Sequence, residues 1–172
     1  MIKPALQDDA LLADVEAAKS DRPNFRLWWL GQSGFLVQFN ARHALLDPYL
    51  SDSLTKKYAA TDKPHVRMTA RVIAPERLAF AEVVTSSHNH TDHLDAETLV
   101  PILRANPVVK FLVPEANRAF AAERIGVRAE TLHGIDAPQR VELGGFVFHG
   151  IPAAHNTIEL IVDIHWYCPK CR

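Results

Sequence analysis

The chain has 172 residues, 48 % of them hydrophobic and 23 % charged, with a formal net charge of −1. That length and balance describe a globular protein with a real core, and the near-neutral charge excludes a global field recruiting nucleic acid or a membrane surface. No apolar run approaches the ~20 residues that span a bilayer. The N-terminal stretch MIKPALQDDALLADVEAAK lacks a secretory apolar core, and the two cysteines, Cys168 and Cys171, make no disulfide scaffold, so a cytoplasmic location is expected.

Leu6 to Lys19 reads as a helix, with Leu11, Leu12, Val15 and Ala18 on one stripe and Asp8 or Asp9 as cap. Asp21-Arg22-Pro23-Asn24 breaks it. Arg26 to Leu30 and Phe35 to Phe39 are predicted strands around Gly31-Gln32-Ser33-Gly34, and a turn at Asn40-Ala41-Arg42 leads into a third, His43 to Leu46. Asp52 to Ala70 is polar and without period, which predicts a long loop. From Val83 strand and helix alternate: strand Val83 to Ser86, helix Ala96 to Arg104 capped by Asp95, strand Val108 to Val113, and helix Glu115 to Arg124 ended by Gly126. Strands are predicted at Val127 to Leu132, Gln139 to Leu143 and Phe146 to Gly150, and Ile158 to Trp166 alternates like another. The pattern is one α/β unit over 1–172, a sheet covered by helices on one side.

The chemistry concentrates in His88-Asn89-His90-Thr91-Asp92-His93, an H-x-H-x-D-H run with four metal-liganding side chains in six positions. The preceding run Ala81 to Ser87 reads as a buried strand leaving a sheet. Imidazole and carboxylate are the usual donors for zinc and related ions. In a tight loop, residues two apart converge, so His88 and His90 can share one ion. Asp92 and His93 then point to a second position, and paired ions about 3.5–4 Å apart serve ester and phosphate hydrolysis. The bland alternative is a solvated, histidine-rich turn, which rarely brings an aspartate into register.

This motif after a strand resembles the signature of the metallo-β-lactamase superfamily. Leu27-Trp28-Trp29-Leu30-Gly31-Gln32-Ser33-Gly34-Phe35-Leu36-Val37 resembles the opening hairpin of the branch containing L-ascorbate-6-phosphate lactonase. Leu46-Asp47-Pro48-Tyr49-Leu50-Ser51-Asp52, Lys63-Pro64-His65-Val66-Arg67 and Ser87-His88-Asn89-His90 fit the same branch. Ile151-Pro152-Ala153-Ala154-His155-Asn156 is similar to the segment supplying the third histidine of the first metal site. The resemblance implies an αββα sandwich of which this chain holds the N-terminal half to two-thirds. It also implies a hydrolase acting on a lactone of a sugar acid or its phosphate through water activated by Mn2+ or Zn2+. His88, His90 and His155 would hold the first ion; Asp92 and His93 would hold the second, with Asp92 also orienting or deprotonating the nucleophile.

The family's second half should add an aspartate bridging both ions, in a G-D-T-like context, and a final histidine. Sixteen residues follow Asn156, and none forms a G-D-T. The rival expectations are therefore a non-catalytic or weakly metal-binding remnant, or a phosphodiesterase of the same superfamily.

Other residues carry two readings each. Asp47 is either a turn residue before Pro48 or the group that orients a ligand imidazole. His65 and Arg67 are either a solvated loop face or contacts for an anionic substrate, and Asn156 is a further substrate-side candidate. Trp28 and Trp29 read as core and sheet-face packing. His43, His133, His149 and His165 show no partner pattern, and Cys168-Pro169-Lys170-Cys171 is half of a zinc-ribbon pattern. A small-molecule substrate is expected, with no nucleic-acid or membrane partner. Val147, Ile158 and Leu160 are expected to lie uncovered and to favour a homo-oligomer.

Overall fold

The computed structural model describes residues 1–152 in full and the backbone alone of 153 and 161–167. His155, Asn156, Ile158, Leu160, Cys168 and Cys171 lie outside the described residues, as does the side chain of His165.

A six-stranded sheet forms the centre, in the order β1 (Arg26–Trp29), β2 (Phe35–Phe39), β3 (Arg42–Leu46), β4 (Val83–Thr85), β5 (Lys110–Pro114), β6 (His133–Ile135). The first three strands are an antiparallel meander, and β3 to β6 run parallel. Successive side chains on a strand face opposite ways, and the sequence alternates accordingly. Leu36, Leu45, Val84, Phe111 and Val113 enter a core shared with helices α1 (Asp9–Ala18), α3 (Ala96–Ala105) and α4 (Arg118–Ile125). Their neighbours Val37, Ala44, Val83, Leu112 and Ile135 face the other way, against Leu143, Phe146 and Phe148. Those three belong to a second sheet, β7 (Arg140–Leu143), β8 (Phe146–Ala153) and β9 (Ile161–Tyr167), paired antiparallel. The layers are helix, sheet, sheet, the mixed α/β architecture expected of a metallo-β-lactamase-like fold.

Leu11, Val15 and Ala18 are the buried stripe of α1. Asp8 precedes it but makes no side-chain cap bond; its carboxylate instead lies 3.7 Å from Arg77 Nη1. Asp95 does cap α3, accepting from Glu97 N at 3.3 Å and from Thr98 Oγ1 at 2.6 Å. Gly126 ends α4 in the left-handed conformation, φ 72°.

Several elements differ from the sequence expectation. The 52–70 stretch contains a short helix, α2 (Ser53–Tyr58), seated by buried Leu54, whose N–H donates to the Tyr49 hydroxyl at 3.0 Å. The predicted helix from Glu115 starts as a 3-10 turn, Glu115–Asn117, and becomes α-helical at Arg118. Val127 to Leu132 is not a strand: Ala129–Thr131 is a 3-10 turn, the Thr131 hydroxyl donates to Arg128 O at 2.6 Å, and pairing with β5 begins only at His133. Val147 is 3 % exposed, not uncovered. Trp28 packs against the helix-side core, but Trp29 is 54 % exposed on edge strand β1. Among the described residues, no helix is long and apolar enough to cross a membrane.

Candidate metal centre

Strands β3 and β4 are parallel neighbours, so both release their C-terminal loops at the same edge of the sheet, the place where parallel sheets hold ligands. The loop after β3 begins at Asp47, with φ 45°. The loop after β4 carries Ser86, Ser87 and the histidine run. Side chains at one edge thereby meet although 40 residues separate Asp47 from Ser87.

Asp47 is the organising group. Its Oδ1 accepts from Ser87 N at 2.9 Å and from the Thr85 hydroxyl at 3.0 Å. Its Oδ2 accepts from His93 Nδ1 at 2.7 Å and from the Ser87 hydroxyl in a short bond. A carboxylate offers about four lone-pair sites, and all four are used. Asp47 is therefore saturated as an acceptor and holds other side chains in place. The Ser87 hydroxyl also lies 3.1 Å from His88 Nδ1, so one carboxylate orients His93 directly and His88 through Ser87.

The close approach of the β1–β2 hairpin to the loop after β3 depends on Gly34. A Cβ there would lie 2.6 Å from Asp47 O and 2.9 Å from Pro48 Cα, at a φ of 101°. Beside it, the Ser33 hydroxyl donates to Asp92 O at 2.6 Å, tying the first hairpin to the histidine loop. From the opposite side, Arg124 Nη1 on α4 donates to Asn89 O at 2.7 Å and to Leu94 O at 3.3 Å, gripping both ends of that loop.

The four predicted ligands of the loop lie together. The His88 and His90 rings are 4.7 Å apart between centroids, and those of His88 and His93 are 4.1 Å apart. Asp92 Oδ2 is 3.5 Å from His93 Nε2. Asp47, His88 and His93 each bring a donor atom within 4.8 Å of the others, with Asp47 and Ser87 holding the two rings side by side. Clustered imidazoles must stay mostly neutral to coexist. Burial, reinforced by the neighbouring His93 and His90, pushes His88 down to about 4. Burial also acts to lower His93, but its hydrogen bond and charge interaction with Asp47 outweigh that and hold it above the usual histidine range. A cation suits this donor set: His93 keeps its Nδ1 proton on Asp47, as metal-binding imidazoles do when a carboxylate fixes their tautomer. The side chains present fit a divalent ion.

The remaining candidates separate. His65 lines the cavity beside the loop, with His90 and Asp92. Arg67 does not face it: at 6 % exposure it donates from Nε to Thr69 O at 2.8 Å and from Nη1 to Ser51 O at 2.7 Å, and it lies over the Tyr49 ring. The solvated-face reading of Arg67 is thereby corrected; backbone carbonyls from two loop segments pull it inward. His43 is no ordinary surface histidine either, being 2 % exposed with Nε2 3.0 Å from Gln38 Oε1. Thr85, Ser87, Ser33 and Arg124 were not anticipated. Ser87 had a usable signal, since it directly precedes the first ligand; Arg124 had none.

A parallel-sheet edge presenting oriented imidazoles and carboxylates defines a metal-binding α/β protein. Residues 26–161 match the family described as beta-lactamase superfamily domain, and the chain belongs to that family. It is similar to N-acyl-phosphatidylethanolamine-hydrolyzing phospholipase D 1 of Caenorhabditis elegans, 27 % identical over 135 residues, covering 74 % of this chain and 37 % of the relative. It is also similar to a UPF0173 metal-dependent hydrolase of Saccharolobus solfataricus, 23 % identical over 136 residues, covering 77 % of this chain and 51 % of the relative. The chain thus spans about a third to a half of these relatives' lengths. Among solved structures, CmlA, a diiron beta-hydroxylase from Streptomyces venezuelae, superposes with TM-score 0.53 at 20 % identity, over 81 % of this chain and 26 % of that one. That likeness concerns the fold.

Proposed function

We propose that this protein is a metal-dependent hydrolase whose favoured substrate is a phosphodiester. The observation that carries the hydrolase reading is the 2.7 Å bond from His93 Nδ1 to Asp47 Oδ2, which leaves His93 Nε2 facing Asp92 at 3.5 Å. The relatives named for phosphodiester cleavage support that substrate class: the nematode protein and a yeast N-acyl-phosphatidylethanolamine-hydrolyzing phospholipase D, 35 % identical over 71 residues. A second reading, a lactone of a sugar acid or its phosphate, is favoured by the Asp47-Pro48-Tyr49-Leu50-Ser51-Asp52 segment and the opening hairpin.

A bound Mn2+ or Zn2+ ion would lower the pKa of a water toward neutrality and polarise the substrate. His88, His90 and His155 are assigned to one ion and Asp92 and His93 to another; this mixed nitrogen and oxygen set suits either metal. Asp92 orients the attacking water and takes its proton. Asp47 and Ser87 keep the imidazoles in the tautomers that direct Nε2 inward. Both substrates need a positioned water, in line with the leaving oxygen at phosphorus or over the face of a lactone carbonyl, and a stabilised developing oxyanion, so one set of side chains could serve both.

The test is hydrolysis of bis(4-nitrophenyl) phosphate and of a sugar-acid lactone by protein loaded with either metal, against Asp92→Ala. The expected result is metal-dependent turnover of the phosphodiester, reduced at least ~10²-fold in the variant, the low end for losing a positioned acid–base group. Turnover of the lactone alone would favour the second reading. Metal-loaded protein that cleaves neither faster than Asp92→Ala would overturn the hydrolase reading and leave a metal-binding fold.

A further inference from the structure

We infer that Lys57 and Arg124 form an anion subsite beside the histidine loop, holding a phosphate group of the substrate that does not react. A cavity of about 560 Å³ opens next to the loop between α2 and α4, lined by Lys57, Tyr58, His65, Phe120 and Arg124 as well as by His90 and Asp92. Its charge is one-sided. The neighbouring Lys56 is neutralised by Glu97 at 2.7 Å, but Lys57 has no acidic partner among the described residues. Arg124 spends Nη1 on two backbone carbonyls, meets no carboxylate among the described residues, and stacks over Phe120 at 4.4 Å. The remaining edge of its guanidinium, Nε and Nη2, has no protein partner among the described residues. Asp92, already a metal candidate, is the one acid in the lining.

Two uncompensated cations converging on an open, half-aromatic cavity fit a group with negative charge and several acceptor oxygens. A guanidinium edge matches phosphate in a planar fork, and an ammonium adds a mobile point charge. Tyr58 and Phe120 complete the wall, each with one ring face under a cation, Lys57 at 5.2 Å and Arg124 at 4.4 Å. The subsite deepens the hydrolase reading by requiring a substrate with a charged group away from the reacting bond. Its existence does not depend on turnover.

The experiment therefore uses metal-free protein and inorganic phosphate as the probe, with affinity measured by calorimetry or nuclear magnetic resonance titration at low salt. Lys57→Glu should weaken phosphate binding about tenfold, and Lys57→Ala by a smaller factor, because a single charge near ~4 Å in a wet site is worth on the order of one such decade when reversed. Arg128→Glu, a charge reversal outside the cavity, should change nothing. Lys57 is exposed and makes no structural hydrogen bond among those described, so the variant will fold. Equal binding by wild type and Lys57→Glu, equal weakening by Arg128→Glu, or no phosphate binding at all would each overturn the proposal. Phosphate binding that depends on Lys57 in a protein without hydrolase activity would uphold the subsite while removing the hydrolase reading.

Discussion

Asp47 Oδ2 accepts a hydrogen bond from His93 Nδ1 at 2.7 Å, joining the end of β3 to the loop that follows β4. The same carboxylate takes three further hydrogen bonds from Thr85 and Ser87. It is a hub that sets the ring orientation of the metal loop from outside it.

Asp47→Asn keeps the size of the side chain but places an amide where two donors now converge on each oxygen. Metal affinity should fall about 10- to 100-fold, the usual cost of losing the carboxylate behind a ligand histidine. Competition against a chromophoric chelator measures this. An unchanged dissociation constant would show that the hub does not act on the metal site.

Gly34→Ala should destabilise the fold by at least ~1–2 kcal/mol, the cost of forcing an L-residue into left-handed backbone. The added methyl must also displace Asp47 O, 2.6 Å away, so metal affinity should drop with stability. Denaturant unfolding with and without metal separates the two effects. A variant as stable as the wild type would mean that the β1–β2 hairpin packs less closely on the loop after β3 than described.

His43 provides a pH-dependent contribution remote from the metal loop. Burial, with a smaller push from Lys19 opposed by Glu16, lowers its pKa to about 4. Gln38 contacts one ring nitrogen, Glu82 lies 4.0 Å from the other, and Phe80 packs edge-on. Because the folded state disfavours the charged ring, this contribution to stability is full above the unfolded pKa of about 6.5 and is lost as pH falls toward about 4. Between about pH 7 and pH 5 the loss from this one group should be about 2 kcal/mol. His43→Gln should flatten the pH dependence of unfolding by that amount, and parallel curves for the two proteins would contradict it.

Much of this was legible because local chemistry and global packing agree. The adjacent pairs Leu36 and Val37, Ala44 and Leu45, and Val83 and Val84 announce strands apolar on both faces, and the structure buries one member of each pair on either side of the sheet. The H-x-H-x-D-H run is local, so its candidate ligands could be named from spacing. What stayed hidden depends on distance. Helix α2 has six residues, too few for a period, and is held by Leu54 and Tyr49. Arg67 looked solvent-facing because its partners are backbone carbonyls, which leave no mark in sequence. Arg124 looked like one more charge on an amphipathic helix, and only the fold brings it across 35 residues to Asn89 O. Asp47 stood between two readings for the same reason, since a turn aspartate and a histidine-orienting aspartate differ only in what approaches them.

The central claim is that Asp47 positions His88, through Ser87, and His93, directly, for metal binding at the histidine loop. Elemental analysis of protein purified after equilibration with zinc or manganese tests it, comparing wild type with His88→Ala, His93→Ala and, as a control on β6, His133→Ala. The wild type and His133→Ala should retain at least about one equivalent of divalent ion through gel filtration, and His88→Ala and His93→Ala should each retain less. Retention of the wild-type metal content by both loop variants would contradict the account.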